Sequence, residues 1–318
     1  MCGIAGFLAK HDGVDVATTI TAMLQSLRGR GPDSTGLSLY GAPHAGPVIA
    51  SVWAGEAGGH AASDGIDAGA AAAGFAVEEA QFVEGYFRLG LSGGDLTAGS
   101  LGALADSIEQ AAPGVRVFSL GNSLELVKHT SDARTLAERF GLLARPYTHV
   151  VGHVRMATES RVDVNHSHPF WARPFPDVTV VHNGHVTNYH KNRRLYEMRG
   201  HRFQTDNDTE FVAVYLADAL EQGAALDAAV ERSIDELDGS FTYLVSTADG
   251  FGVARDRFST KPCLIAETDD WVAVVSEGIA LAGAFGDQVD FDVYELPGGE
   301  SRAWTRRPPG AEPARAAA

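Results

Sequence analysis

The chain begins Met1-Cys2-Gly3-Ile4-Ala5-Gly6-Phe7, and this stretch decides the fold because a cysteine stands directly before a short apolar strand. If Met1 is removed, Cys2 carries both a thiol and an α-amino group. An ordinary thiol, with a pKa of about 8.5, is mostly protonated at neutral pH, whereas an α-amine with a pKa of about 7.7–8.0 is partly neutral. The amine can then take the thiol proton, so that the thiolate attacks a carbonyl carbon. The alternative is that Cys2 is simply a small buried core residue.

The composition is that of a globular protein with a strongly acidic balance. Of the 318 residues, 45% are hydrophobic and 21% are charged, which is typical of soluble globular domains. The formal net charge of −16 disfavours nucleic acid or an anionic membrane as a partner. The short basic run at 191–194 is better explained as a solvated helix face than as a phosphate site.

Cysteine usage and hydropathy indicate the cellular location. The sequence contains two cysteines, Cys2 and Cys263, so a disulfide framework is not expected and a reducing compartment fits. The chain shows no secretory signal, and no run of about 18 apolar residues could span a membrane. We therefore expect a cytoplasmic protein that does not associate with membranes.

Two segments of the chain, about 1–40 and 148–300, have the pattern of one folded domain. Apolar residues at helical spacing follow the first strand and stop near Gly29, and residues 36–40 predict a second strand. After 148, β-branched strands are followed by amphipathic helices over 210–220 and 226–237, and then by a strand meander over 241–276. Antiparallel strands with helices segregated between them predict an α+β sandwich rather than a doubly wound parallel sheet.

Residues 41–147 have the character of a subregion inserted into a single domain of residues 1–300. The part from 41 to 74 is rich in Gly, Ala and His, which suggests irregular structure. A helix over 101–112, a hairpin of strands at 115–120 and 124–128, and a helix over 132–140 are predicted after it. Residues 301–318 are rich in Pro, Ala and Arg, which predicts a disordered tail.

Acyl transfer from an amide needs hydrogen-bond donors for a developing oxyanion, and Asn183 and Gly184 are candidates. His182-Asn183-Gly184 follows directly on an apolar strand. The Asn side-chain amide and the Gly N–H can point at one oxygen, and Gly permits close approach of a substrate. On its own, Asn-Gly is more typical of a hairpin turn.

Two charged residues are candidates for holding a substrate. Arg155 ends a predicted strand, where its guanidinium could clamp a carboxylate or make an ordinary salt bridge. Asp208 lies in a polar run at 205–210 before a helix, where these side chains could cap the helix. A carboxylate there could also recognise a substrate ammonium group, and the two interpretations are compatible.

Together these segments resemble the glutaminase domain of the class II glutamine amidotransferases, which are amino-terminal-nucleophile (Ntn) hydrolases. The segments follow the order of the family, with its spacing kept from 148 onward, and the resemblance covers about 1–40 and 148–285. The segments that carry it are Cys2–Gly6, Arg30–Ser34, His153–Thr158, His182–Gly184, Asp208–Glu210, Leu237–Phe241, Arg255–Arg257 and Ser276–Glu277.

The resemblance implies both a fold and a chemistry. The fold is the four-layer αββα sandwich, in which two antiparallel sheets stack face to face between helical layers. The implied substrate is L-glutamine, with Cys2 as the nucleophile and its own amine as the base. In the same way, Asn183 and Gly184 would form the oxyanion hole.

The resemblance also implies how glutamine would be held. Arg155 would bind the α-carboxylate, Asp208 would bind the α-ammonium group, and Thr158 would line the glutamine pocket. Arg30 would order the loop beside the amino terminus. One departure is Glu159, which stands where several family members carry histidine.

The long 41–147 insertion is a second departure, and the chain carries no acceptor domain after the glutaminase segments. The sequence looks most like the separate amidotransferase subunit of glutamate-synthase-like complexes, in particular N-methylglutamate synthases. This implies a hetero-oligomer in which a flavin or iron–sulfur synthase subunit receives the ammonia.

No cofactor or metal is expected in this chain itself. Two cysteines cannot hold an iron–sulfur cluster, and the histidine pairs 166/168 and 182/185 lack a completing carboxylate or thiolate. Two alternative functions stay open: an Ntn cysteine hydrolase of another amide, and a non-catalytic subunit that assembles or regulates a synthase.

Overall fold

The computed structural model describes residues 2–41, 47–55, 58–156, 163–286 and 291–306. Within these ranges the chain forms sixteen strands and eight α-helices. The strands are β1 (Gly3–Ala9), β2 (Ser34–Tyr40), β3 (Val48–Trp53), β4 (Phe75–Val83), β5 (Tyr86–Gly93), β6 (Arg116–Gly121), β7 (Leu124–His129), β8 (His149–Arg155), β9 (Phe170–Trp171), β10 (Thr179–Val186), β11 (Gly239–Thr247), β12 (Gly250–Arg255), β13 (Leu264–Glu267), β14 (Trp271–Val275), β15 (Val293–Glu295) and β16 (Ser301–Thr305). The helices are α1 (Val16–Ser26), α2 (Gly59–Ala72), α3 (Ala98–Ala111), α4 (Ala133–Arg139), α5 (Tyr189–Met198), α6 (Asp208–Glu221), α7 (Leu226–Glu236) and α8 (Gly278–Phe285).

Two antiparallel sheets form the centre of the molecule. The larger sheet has seven strands in the order β15-β13-β14-β1-β8-β2-β7, and the smaller has five in the order β16-β12-β11-β10-β9. Helices α1 and α8 pack together outside the larger sheet, while α6 and α7 cover the smaller one. The layers therefore run helix, sheet, sheet, helix, and the prediction of an α+β four-layer αββα sandwich is confirmed.

Strand β1 lies inside the larger sheet, between β14 and β8. Ile4 and Leu8 face the smaller sheet and belong to the core between the two sheets. Ala5 and Phe7 alternate with them and belong to the core on the side of α1. Because both faces are buried, the strand is a continuous apolar run, as its sequence predicts.

The segment from β3 to β6 forms a separate four-stranded antiparallel sheet in the order β4-β5-β3-β6, with α2 and α3 packed against it. This element order, β-α-β-β-α-β, is the ferredoxin-like arrangement. The expectation of irregular structure over 41–74 is therefore wrong for β3 and α2. Helix α2 consists largely of Ala and Gly, whose small side chains give no clear apolar periodicity. Residues 42–46 and 56–57 lie outside the described ranges.

The predicted hairpin at 115–128 is also wrong, although both of its segments are strands. β6 pairs with β3 in the four-stranded sheet, whereas β7 pairs with β2 at the edge of the seven-stranded sheet. The Asp177 carboxylate holds the link between them, because it accepts the N–H groups of Asn122, Ser123 and Leu124. β7 therefore belongs to the central sandwich, although it lies within residues 41–147.

Two predictions for the second half of the chain need correction. The strands over 241–276 form no single meander, because β11 and β12 belong to the smaller sheet and β13 and β14 to the larger one. The tail predicted to be disordered from 301 begins with β16, which pairs with β12, and Trp304 packs against Phe251 there. Residues 307–318 lie outside the described ranges. Among the helices that the structure describes, none combines the length and apolar content that crossing a bilayer requires.

Candidate active site

The ends of β1, β8 and β10 meet at a cleft of about 320 Å³. Cys2 directly precedes β1, and the pairing of Gly3 with Val154 brings Cys2 beside Met156. The N–H of Met156 donates to Sγ of Cys2 at 3.4 Å. The cleft is lined by Cys2, Arg30, Arg155, Met156, His168, His182, Asn183, Gly184, Asn207, Asp208, Thr209, Lys261 and Pro262.

The lining includes every described residue that the sequence marks as a candidate: Cys2, Arg30, Arg155, Asn183, Gly184 and Asp208. Thr158 and Glu159 lie in 157–162, outside the described residues. These candidates come from five separate places along the chain. Pairing of β1 and β2 with β8 in the larger sheet brings the first three together, and the facing smaller sheet supplies Asn183 and Gly184 from β10.

The main chain of Cys2 is fixed by two side chains. Nε of Arg30 donates to the carbonyl oxygen of Cys2 at 3.0 Å, and Nδ2 of Asn183 donates to the same oxygen at 3.2 Å. Arg30 also forms an ion pair with Glu277. One residue further along, the N–H of Ile4 donates to Oγ of Ser276 at 3.1 Å. The start of β1 is therefore anchored to three other segments.

The loop that carries Arg30 packs directly on β8. A Cβ at Gly31 would overlap the carbonyl group of Val154, so only glycine allows this approach. Gly29, two residues earlier, has open space around its Cα. The Arg-Gly-Arg-Gly sequence at 28–31 thus contains one glycine that the packing needs and one that it does not.

Asn183 and Gly184 lie in β10, opposite Thr242 and Phe241 of β11. Gly184 has a φ of 129°, and a Cβ there would overlap the carbonyl oxygen of Ser240. The interpretation of Asn-Gly as a tight hairpin turn is wrong, since both residues pair within a long antiparallel ladder.

Asp208 is the first residue of α6, after the N-cap Asn207, whose side chain accepts from the N–H of Thr209 at 2.9 Å. Helix capping is therefore done by Asn207, which leaves the Asp208 carboxylate facing the cleft. Oδ2 of Asp208 accepts from the N–H of Val186 at 2.9 Å, and Nδ1 of His182 lies 3.6 Å from Oδ1. Burial alone would raise the pKa of Asp208, but His182 and these hydrogen bonds lower it to about 2. The carboxylate is thus held in its charged form.

Three buried histidines lie at the cleft, where His168 and His182 line its wall and His153 stacks on His168. His153 and His168 stack with ring centroids 4.2 Å apart, and the N–H of His182 donates to Nδ1 of His168 at 3.3 Å. Burial, with the charges of His182 and Arg155, lowers the pKa of His153 to about 3. Burial also lowers the pKa of His168 well below its ordinary value. His153 and His168 are therefore neutral at physiological pH.

These histidines do not form a metal centre in the part of the chain that the structure describes. Within it, no three His, Cys, Asp or Glu side chains are arranged to hold an ion. Of the two histidine pairs considered from the sequence, His166 bonds to Asp163 and His168 stacks on His153. The side chain of His185 is exposed beside Asp208.

Several lining residues are not among the catalytic or substrate-binding candidates predicted from the sequence: His168, Asn207, Thr209, Lys261 and Pro262. Asn207 and Thr209 flank the motif residue Asp208, and that position is a signal for both. Lys261 follows the Arg255–Arg257 segment in the loop after β12, and no sequence motif marks it.

The arrangement has the parts that acyl transfer from an amino-acid amide requires. A thiol and an asparagine amide line the cleft together with two guanidinium groups and one carboxylate fixed in its charged form. An amino-acid head group carries the complementary pair of charges. The cleft can therefore take a small zwitterion with its side chain directed at the thiol.

Comparisons with known proteins agree with this chemistry. A family model described as glutamine amidotransferase domain matches residues 153–283. A protein of Methanothermobacter thermautotrophicus, provisionally named a glutamine amidotransferase, is 34% identical over 315 residues, which cover 96% of this chain and 99% of that protein. The glutamine amidotransferase-like protein GlxB of Rhizobium meliloti is 34% identical over 289 residues, or 88% of this chain and 91% of GlxB.

Solved structures share the fold at low sequence identity. An allosteric regulatory enzyme of purine biosynthesis superposes with a TM-score of 0.60 at 18% identity. The glutamine phosphoribosylpyrophosphate amidotransferase of B. subtilis superposes with a TM-score of 0.57, also at 18% identity. Each comparison covers 96% of this chain, which spans 47% of the length of each of those proteins.

Proposed function

This chain belongs to the class II glutamine amidotransferases, and from that premise we propose that its cleft hydrolyses L-glutamine to glutamate and ammonia through a thioester on Cys2. One observation carries the proposal: the Cys2 thiol shares a single cleft with Asn183, Gly184, Arg155 and Asp208. A glutamine molecule carries a group complementary to each of them.

Substrate binding follows from the charges of the cleft. Arg155 binds the α-carboxylate of glutamine, and Asp208 binds the α-ammonium group. The depressed pKa of Asp208 keeps its carboxylate ionised for this purpose. With the head group held at these two residues, the carboxamide of the side chain is directed toward Cys2. Thr158, if it lines the same pocket, contacts the substrate beside Arg155.

The acyl transfer proceeds in two balanced steps. The α-amine of Cys2 takes the thiol proton, and the thiolate attacks the carboxamide carbon, whose π electrons move onto oxygen. Asn183 and the N–H of Gly184 stabilise that oxyanion. The C–N bond then breaks, and the nitrogen leaves as ammonia with the proton from the amine. Water attacks the thioester in the same way and releases glutamate.

The fixed main chain of Cys2 supports its role as the nucleophile. Arg30 and Asn183 hold its carbonyl oxygen, which leaves the thiol and the amine at the open end of the strand. Arg30 therefore positions the reacting residue and takes no part in proton transfer.

We further propose that the ammonia passes to a separate synthase subunit of the glutamate-synthase or N-methylglutamate-synthase type, which contains flavin or iron–sulfur centres. The relatives from Methanothermobacter thermautotrophicus and Rhizobium meliloti are matched over 99% and 91% of their own lengths, so those two proteins hold no large acceptor domain, which supports a glutaminase that works with a partner. Purification of the tagged chain from its native host, with identification of bound proteins, tests this. Recovery of the chain without a redox synthase would contradict it.

The first experiment measures glutamate release from glutamine by the purified chain, with the amino-terminal mass recorded. Wild type without Met1 releases glutamate, and Cys2→Ser does not. Cys263→Ala is the matched control, because Cys263 is buried and does not line the cleft, so it retains activity. Undiminished glutamate release by Cys2→Ser would refute the proposed mechanism.

A further inference from the structure

Four charged side chains line the cleft: Arg30, Arg155, Asp208 and Lys261. Arg30 is paired with Glu277, and Asp208 accepts from the N–H of Val186. The proposed function assigns Arg155 to the substrate carboxylate. Among the residues that the structure describes, no carboxylate pairs with the Lys261 ammonium group, so a half-buried cation lines the same cleft as the Cys2 thiol.

The position of Lys261 is fixed by the strands that carry Asn183. Oγ1 of Thr242 donates to the carbonyl oxygen of Lys261 at 3.2 Å, and Nε of Arg255 donates to it at 2.9 Å. Thr242 lies directly opposite Asn183 in the β10–β11 ladder. The main chain of Lys261 is therefore attached to the strand pair that holds the oxyanion donors.

The residue before Lys261 makes a second attachment. The hydroxyl of Thr260 is hydrogen-bonded to the hydroxyl of Ser240, whose carbonyl oxygen packs against Gly184. Lys261 is thus anchored on the Gly184 side of the cleft as well as on the Asn183 side. From this anchor the Lys261 residue lines the cleft together with Cys2 and Asn183.

We propose that Lys261 is a further catalytic residue, whose ammonium group contacts the carbonyl oxygen of the substrate and stabilises the oxyanion of both tetrahedral intermediates. This inference rests on the proposed glutaminase function. The π electrons of the carbonyl move onto oxygen when the thiolate attacks and return when the C–N bond breaks. Lys261 transfers no proton and acts through its charge alone.

The positive charge of Lys261 is expected to raise kcat for glutamine hydrolysis more than it strengthens glutamine binding. In the present arrangement, Nδ2 of Asn183 already donates to the carbonyl oxygen of Cys2, so only part of its donor capacity is available to a substrate. A fixed positive charge adds stabilisation that grows as negative charge develops on oxygen. It therefore lowers the barrier more than it strengthens the binding of glutamine.

The test compares kcat and KM for glutamine hydrolysis in wild type, Lys261→Gln and Lys261→Arg. Lys261→Gln lowers kcat about 10- to 100-fold with KM changed less than about threefold, and Lys261→Arg recovers most of the loss. The control is Lys10→Gln, which alters a surface lysine paired with Glu267 and leaves both constants unchanged. Thermal unfolding of each variant reports whether it folds.

Two results overturn the inference. A raised KM with unchanged kcat in Lys261→Gln means that Lys261 binds the glutamine carboxylate, and unchanged constants mean that it has no part in the reaction.

If wild type itself releases no glutamate, the proposed glutaminase function is contradicted, independently of Lys261. Lys261 is then tested by the rate at which a chloroketone analogue of glutamine labels Cys2, because attack of the thiolate on its ketone forms a tetrahedral adduct of the same kind. Equal maximal labelling rates in wild type and Lys261→Gln count against the inference.

Discussion

The side-chain amide of Asn183 donates to the main-chain carbonyl oxygen of Cys2, at 3.2 Å. This bond joins the two central sheets at the cleft, since Cys2 precedes a strand of the larger sheet and Asn183 lies in the smaller one. Any change at Asn183 therefore acts on the position of the thiol as well as on the donors around it.

Replacement of Asn183 by Ala is expected to lower kcat for glutamine hydrolysis by about 100- to 1000-fold, the usual cost of one oxyanion donor. KM should change much less, because Asn183 does not contact the head group of the substrate. Steady-state kinetics measure both constants. Asn188→Ala, whose side chain bonds to Glu236 outside the cleft, should keep wild-type values. Equal losses in the two variants would mean that the effect is not catalytic.

The glycines at 29 and 31 provide a matched pair. Gly31→Ala places a methyl group against the carbonyl of Val154 and should displace Arg30 from Cys2, which lowers both stability and activity. The methyl group added by Gly29→Ala contacts no other atom. Activity should therefore be unchanged, and stability should be unchanged or rise by up to about 1 kcal/mol. Chemical denaturation and glutamate release distinguish the two. Tolerance of Gly31→Ala would show that the loop can move without loss of the site.

Asp208→Asn should raise KM for glutamine at least about 30-fold, the equivalent of ~2 kcal/mol for a charged partner of an ammonium group. The pKa of Asp208 is lowered to about 2, so its carboxylate stays charged across the working range of pH. Its contribution to stability is fully present above the unfolded-state pKa of about 3.9 and is lost as the pH falls toward 2. Glutamine binding measured by calorimetry between pH 5 and 8 should show no titration from this residue. If the affinity for glutamine falls toward pH 5 in wild type but not in Asp208→Asn, the prediction is contradicted.

Buried His149 is expected to make the fold sensitive to acid. Burial lowers the pKa of His149 to about 4, despite a hydrogen bond from its ring to the carbonyl oxygen of Thr247. The unfolded chain, with a histidine pKa of about 6.5, then binds the proton more readily, so stability falls as the pH drops from 6.5 toward 4. At pH 5, His149 lowers the free energy of unfolding by about 2 kcal/mol relative to neutral pH.

His149→Gln should remove about that much of the difference in unfolding free energy between pH 7.5 and pH 5. Urea denaturation at the two pH values measures it. The comparison is with His11→Gln, because His11 is exposed at the surface and its loss should leave the acid sensitivity in place. An identical pH dependence in wild type and His149→Gln would disprove the assignment.

Arg173 joins the ferredoxin-like segment to the sandwich. Its guanidinium lies 2.6 Å from Asp106 and 3.0 Å from Glu109 of α3, and its side chain is only 8% exposed. Arg173→Met should lower the free energy of unfolding by about 1.5–3 kcal/mol, because it removes the buried cation that Asp106 and Glu109 share. Arg202→Met removes an exposed partner of the same Asp106 and should cost less than about 1 kcal/mol. Similar losses in the two variants, measured by denaturation, would contradict a structural role for the buried pair.

The short apolar strands, with helices segregated between them, predicted an α+β sandwich, and the resemblance to the amidotransferase family implied its four αββα layers. The cleft was predictable in part, because Asn183, Arg155 and Asp208 lie in recognisable motifs next to predicted elements. Lys261 could not be found in this way, since it lies in a loop after β12 that Thr242 and Arg255 hold against the strand pair carrying Asn183. When tertiary contacts alone bring a residue to a site, the sequence around that residue contains no motif that predicts its role.

The errors in the segment 41–147 have two physical causes. Helix α2 buries small side chains, and its apolar pattern is weak for that reason. β6 and β7 are adjacent strands that resemble a hairpin, but Asp177, more than fifty residues later, holds the link that sends them into different sheets. Local patterns show which segments are strands and leave open which strands will pair.

The central place of β1 sets the order in which the working protein can assemble. Its two neighbours, β8 and β14, are made about 140 and 270 residues after it. At roughly 5–20 residues per second, the first strand of a nascent chain waits on the order of tens of seconds for its second neighbour. Until then the cysteine thiol stands on an incomplete sheet without Ser276 and Glu277 beside it. The cleft is therefore completed late in synthesis, and a chain arrested before β14 carries the Cys2 thiol without a finished cleft.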